Sequence, residues 1–158
     1  MTARAENGGE RRIVVGVDGS EPSKAALAWA MAQGRLTGAV VEAVIAWEVP
    51  ATYGYPIPVS DVNWKQLAQQ VVSDAIADVA GPAAPAKISS KVVEGNAAQA
   101  LLEESARADR LVVGNRGHGG FVEALVGSTG QHCVEHATCP VVIIRDWVAG
   151  QRPEGGSR

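Results

Sequence analysis

No segment of the chain reaches the roughly 18 consecutive apolar residues of a membrane-spanning helix, so no bilayer span is expected. Positive charge is not in excess either. Lys and Arg number 14 against 17 Asp and Glu, for a formal net charge of −3. That balance excludes a broad basic field of the kind that holds nucleic acid or an anionic membrane surface. The first residues, MTARAENGGERR, are polar and lack the apolar core of a signal peptide. A cytoplasmic protein is the default expectation. Cysteine is scarce, with two residues in the chain. At 158 residues the chain is long enough to bury a core without disulfide staples. One domain over residues 12–147 is expected, with flexible tails at 1–11 and 148–158.

Two phosphate-binding signatures are also missing. A P-loop needs a Gly-Lys pair, and none occurs. A dinucleotide fingerprint should follow the first strand, and GVDGSE at that place does not match it. The two cysteines, Cys133 and Cys139, lie in QHCVEHATC with His132 and His136. Four such side chains invite a zinc reading, but zinc sites use separated ligand pairs. A helix that buries Cys133 and exposes the histidines is the simpler expectation.

The pattern that is present alternates strand and helix. Apolar β-rich runs at Ile13–Val17, Val40–Trp47, Ile88–Val93, Leu111–Gly114 and Val141–Ile144 read as strands, the third with the alternation of an edge. Ser20 is placed to cap the first helix, with Pro22 in its first turn and a break at Thr37–Gly38. Pro50, Pro56 and Pro58 mark a long loop whose Tyr53 and Tyr55 pack it down or cover a ligand. Asp61 is the expected cap of a second helix with Trp64, Leu67, Val71, Ala75 and Val79 on its apolar face, ending at Gly81 and Pro82. Asn96 with Gln99 is a capping-box signature, and Leu101, Leu102 and Ala106 give that helix its apolar side. A last helix should run from Ser128 to His136. This order predicts an α/β fold: an open five-stranded parallel sheet with helices on both faces, Rossmann-like.

Glycine is concentrated where function is expected. GNRGHGGFVEALVGSTG, from Gly114 to Gly130, holds six of the 18 glycines. Glycine there serves tight turns, or close approach of backbone to a phosphate. Gly114, Arg116, Gly117, His118, Gly119 and Gly120 form a turn with two side chains able to carry positive charge. Gly127, Ser128 and Thr129 then open a helix, whose N-terminal amides favour an anion. In a 3-2-1-4-5 sheet the first and fourth strands flank the crevice where the strand order reverses. Val17 and Asp18, at the end of the first strand, would face that crevice together with Gly114 to Gly120.

The segment reads G-x2-G-x9-G-(S/T), and this resembles the ATP-binding signature of the universal stress protein family. IVVGVDGSEPSKAALAWA is similar to the opening strand and helix of that family, and HATCPVVII to its closing strand. The resemblance implies a cytoplasmic, homodimeric stress-response protein that binds ATP or another adenine nucleotide, cyclic AMP among them, with Mg2+. It implies Asp18 near the ribose or a phosphate-bound metal, backbone near Ala46 and Trp47 against adenine, and Gly114, Gly117, Gly127, Ser128 and Thr129 at the phosphates. Occupancy would modulate conformation or partner binding, with no catalytic residues. Two other readings stay open. One is a slow ATPase or nucleotidyl-transfer enzyme, with His118 as an acid or base, although VDGSEPS lacks the paired glycines of such transferases. The other is an assembly protein without nucleotide. The dimer contact is expected along Val141–Ile144, an apolar edge strand with no lysine to blunt it.

Overall fold

A computed structural model describes residues 10–48, 62–80, 87–115 and 128–145. In these residues β1 (Arg12–Gly16), α1 (Glu21–Thr37), β2 (Val40–Trp47), α2 (Trp64–Ala80), β3 (Ile88–Glu94), α3 (Ala97–Ser105), β4 (Arg110–Gly114), α4 (Ser128–His136) and β5 (Val141–Ile144) follow in turn. The strands form one parallel sheet of order β3-β2-β1-β4-β5, as the alternation predicts.

Strand periodicity divides the core between two faces. Ile13, Val15 and Val17 of the first strand segment pack with Leu27 and Met31 of α1 and Val72 of α2. The intervening Val14 packs with Leu101 of α3 and Cys133 of α4. Thus α1 and α2 cover one face, and α3 and α4 the other. β5 continues the division, with Val142 and Ile144 on the first face and Val141 and Ile143 on the second.

Local chemistry sets the helix ends. Ser20 caps α1 by accepting a hydrogen bond from the Ser23 amide, and Pro22 stands in the first turn. Buried Ser23, Ala26, Leu27, Ala30, Met31 and Gly34 recur at three- and four-residue steps, which fixes the inward face of α1. Gly38 ends the helix at φ 79°, a left-handed position that suits glycine. Asn96 caps α3 through the Gln99 amide, as expected. Only half of the capping box forms, because the Gln99 side chain turns forward to Glu103.

Several expectations need correction. On α2 the buried residues are Ala68, Val72 and Ala75, with the expected Val71 and Val79 partly buried against the core, while Leu67 is 52% exposed. A helix lying close on a sheet accommodates alanine at the contact and turns the larger leucine out. Asn63 makes a helix-capping hydrogen bond, the role expected of Asp61, accepting from the Gln66 amide at 2.9 Å. Ala106 is exposed at the C-cap of α3, and Ala98, Ala100, Leu101 and Ser105 form the buried side. The strand bounds of β1, β3 and β4 shift by one residue from those expected. Asp61, Gly81, Pro82, Pro50, Pro56, Pro58, Tyr53 and Tyr55 lie outside the described residues, as do tail residues 1–9 and 148–158.

At the end of the sheet where the strands begin, β1, β2, β3 and α3 are joined by charge. The Arg12 guanidinium contacts Glu42 and lies 3.5 Å from Glu104 Oε1, and Lys91 Nζ is 2.8 Å from Glu104 Oε2. Arg12 Nη1 also donates to the Glu104 carbonyl, and the Arg12 amide to Asp109. The Lys91 pKa is raised, first by its hydrogen bond to Glu104. On the β3 edge this exposed lysine also discourages pairing with a foreign strand.

Candidate functional site

The strand order reverses between β1 and β4, so their carboxyl ends flank the expected crevice. Register aligns the neighbouring strands with them: Gly16 of β1 pairs with Val44 of β2, and Gly114 of β4 with Ile144 of β5. Just past β1, Val17 is buried and donates its amide hydrogen bond to the Val44 carbonyl. Asp18 follows, half-buried.

Asp18 organises the turn into α1. Its Oδ1 accepts hydrogen bonds from the Ser20 amide, at 2.9 Å, and from the Ser20 hydroxyl. Its own amide donates to Ser23 Oγ at 3.2 Å. Gly19 takes φ 85° between them, a backbone conformation that favours glycine. The carboxylate is therefore held by the first turn of the helix rather than swinging on a loop.

Gly114 meets this turn directly. A Cβ at Gly114 would lie 2.7 Å from the carbonyl carbon and oxygen of Pro22. A non-local contact thus explains the absence of a side chain here: β4 and the first turn of α1 pack backbone to backbone. The same contact brings the end of β4 beside the Asp18 turn. Asn115, which sequence reasoning missed, is 6% exposed and donates its amide hydrogen bond to the Ile144 carbonyl. Its polar side chain immediately after a buried strand was the available signal.

Ala46 and Trp47 are half-buried at the end of β2. The Trp47 carbonyl accepts from the Gly95 amide at 2.8 Å, and Trp47 packs against the core under α1 and α2. Ser128 opens α4 in an exposed position, with Thr129 half-buried behind it. Arg116, Gly117, His118, Gly119, Gly120 and Gly127 lie outside the described residues. The described part of the site therefore offers one anchored carboxylate, the closely packed backbone end of β4, and a helix N-terminus with two hydroxyls. Such a set can meet an anion at the helix and a cation or hydroxyl at Asp18.

On α4, Cys133 is fully buried while His132 and His136 are exposed, the division expected from sequence. Burial, with a smaller contribution from Cys139, pushes the Cys133 thiol up to about 11. A thiol so suppressed is a packing residue rather than a nucleophile at neutral pH.

Among the described residues no helix is long and apolar enough to cross a membrane. The sequence profile of the Universal stress protein family matches residues 10–145. A universal stress protein of Mycobacterium tuberculosis is 31% identical over 137 residues, covering 85% of this chain and 45% of the relative. The chain thus spans about half the length of that mycobacterial relative. A Thermus aquaticus universal stress protein is 32% identical over 139 residues, covering 85% of this chain and 98% of its own. The universal stress protein UspA of Lactobacillus plantarum shares the fold with a TM-score of 0.70 at 23% identity, covering 85% of this chain and 97% of its own. A universal stress protein solved in complex with cAMP superposes at 0.57 and 24% identity, covering 87% and 98%. An Arabidopsis thaliana family member solved with AMP bound superposes at 0.57 and 18% identity, covering 94% and 99%. A profile match across all the described residues, joined to the 3-2-1-4-5 sheet, makes this chain a member of the universal stress protein family.

Proposed function

We propose that the chain is an adenine-nucleotide-binding regulatory module of the stress response, with ATP as its nucleotide and Mg2+ on the phosphates. The observation that carries this reading is the glycine spacing from Gly114 to Ser128, whose first member ends β4 against the Asp18 turn. Bound cAMP and AMP in two fold relatives support the ligand class. The donor set fits the group. Mg2+ takes one or two carboxylates together with substrate phosphates, and Asp18 is a carboxylate fixed by Ser20. Gly117, Gly127, Ser128 and Thr129, with the Gly114 backbone, would hold the phosphates, and Arg116 and His118 would add positive charge. Val17 and the backbone of Ala46 and Trp47 would border the nucleoside. Hydrogen bonds to charged groups contribute about 1.5–3 kcal/mol each. Three or four would support micromolar binding, which needs about −8 kcal/mol.

Calorimetric titration with ATP tests the assignment. Gly117→Ala adds a methyl group where backbone approaches phosphate, and affinity should fall on the order of tenfold with little change in melting temperature without ligand. Unchanged affinity would remove the phosphate loop from the proposal. Purified protein should bind ATP without consuming it, and turnover within the ordinary enzyme range of about 1–1000 per second would overturn the regulatory reading.

The module is a homodimer through β5. All four β5 residues are only half-buried within one chain, and the strand lies at the sheet edge. A two-fold copy would cover both its side chains and its open hydrogen-bonding groups. Sedimentation equilibrium at micromolar concentration should give a two-chain mass. Val142→Glu and Ile144→Glu, checked for retained fold by circular dichroism, should give one chain. A monomeric wild type, or folded variants that stay dimeric, rules out this interface.

A further inference from the structure

We propose that His132 and His136 form a surface site on α4 for a borderline divalent transition metal, Zn2+ above all. They stand one helical turn apart on one side of the helix, both exposed. Their rings stack with centroids 4.4 Å apart and planes inclined by 29°. The tautomer of His136 follows from its partner. Nδ1 lies 3.0 Å from the His132 carbonyl oxygen, which can only accept, so Nδ1 carries the proton. The lone pair of the neutral ring is then on Nε2. A backbone carbonyl on the other nitrogen is the usual support of a metal-bound histidine, fixing its tautomer and ring orientation.

Position adds a favourable field. The pair occupies the last turns of α4, where the helix presents its negative end. Cys133 and Cys139 are both buried, so the imidazoles act without the thiols. Among the described residues no group of three or more His, Cys, Asp or Glu side chains is placed to hold a metal. Among the described residues the pair supplies two ligands, and water can fill further coordination positions. Imidazole selects Zn2+, Cu2+ or Ni2+ over Mg2+, which separates this site from any phosphate-bound cation at Asp18. Both rings are exposed, so turning the His132 ring from stacking to chelation, with His136 keeping its bond to the His132 carbonyl, disturbs no core contact.

The test is calorimetric titration of the metal-stripped full chain, without nucleotide, using zinc chloride and, separately, magnesium chloride. Wild type should take up zinc and give no response to magnesium at this site. His132→Ala and His136→Ala should each weaken zinc on the order of tenfold or more, while His118→Ala leaves it unchanged. Absence of zinc uptake by wild type overturns the proposal. So does wild-type affinity in either His132→Ala or His136→Ala, or loss of uptake in His118→Ala.

Discussion

Gly114→Ala should destabilise the protein by about 2 kcal/mol and Gly114→Val by about 3 kcal/mol, in the upper part of the range for overpacked interiors. The added Cβ would meet the Pro22 carbonyl group at 2.7 Å, and Pro22 Cβ at 2.9 Å. Two of those atoms are backbone atoms in the first turn of α1, so no side-chain rotation relieves the contact. β4 and α1 would have to separate, disturbing the Ser20 cap and the Asp18 turn together. For a chain of this size the loss corresponds to a fall in melting temperature of roughly 4–12 °C. Thermal unfolding followed by circular dichroism checks it. A fall of under a degree or so in both variants would show that the Gly114–Pro22 contact relaxes freely.

Arg12→Leu should cost about 2 kcal/mol, within the range for hydrogen bonds to charged groups. The substitution keeps an apolar stem and removes the guanidinium. Glu42 and Glu104, each with a side chain only 16% exposed, then face each other with Lys91 as the remaining counter-charge seen in the network. Partial exposure of the group limits the effect below that of a fully buried pair. Urea denaturation should show the loss, and adding Glu42→Gln and Glu104→Gln to Arg12→Leu should recover much of it. If the triple variant is no more stable than Arg12→Leu, repulsion between those carboxylates is not the cause. Raised salt should narrow the difference as well.

The architecture was largely legible because it rests on local signals. Unbroken apolar runs such as LVV of β4 mark strands covered on both faces, and Ser20 and Asn96 reveal helix starts through side-chain chemistry. What escaped sequence reasoning depends on distant partners. Leu67 read as core from its three- and four-residue spacing to Trp64 and Val71, yet it is exposed and the neighbouring Ala68 is buried. Gly114 belongs to the expected phosphate segment, and its additional close contact with Pro22, far away in sequence, left no local trace. Asn115 carried no pattern that a neighbouring residue completes, and its buried position follows from pairing with β5. The strand order was readable as well: it puts β4, whose end opens the glycine segment, beside β1.

The position of β1 at the centre of the sheet also governs when the crevice can exist. From β1 the chain builds outward to β2 and β3, then crosses back to place β4 against the other side of β1. The Arg12–Asp109 hydrogen bond at that join links residues 97 positions apart. Closing so long a loop carries an entropic cost before its contacts are gained, and such pairings slow folding. During synthesis the segment from β1 to β3 emerges with its own strand neighbours, while half the crevice is still unmade. The step that completes the sheet is thus the one that first sets the carboxyl ends of β1 and β4 side by side.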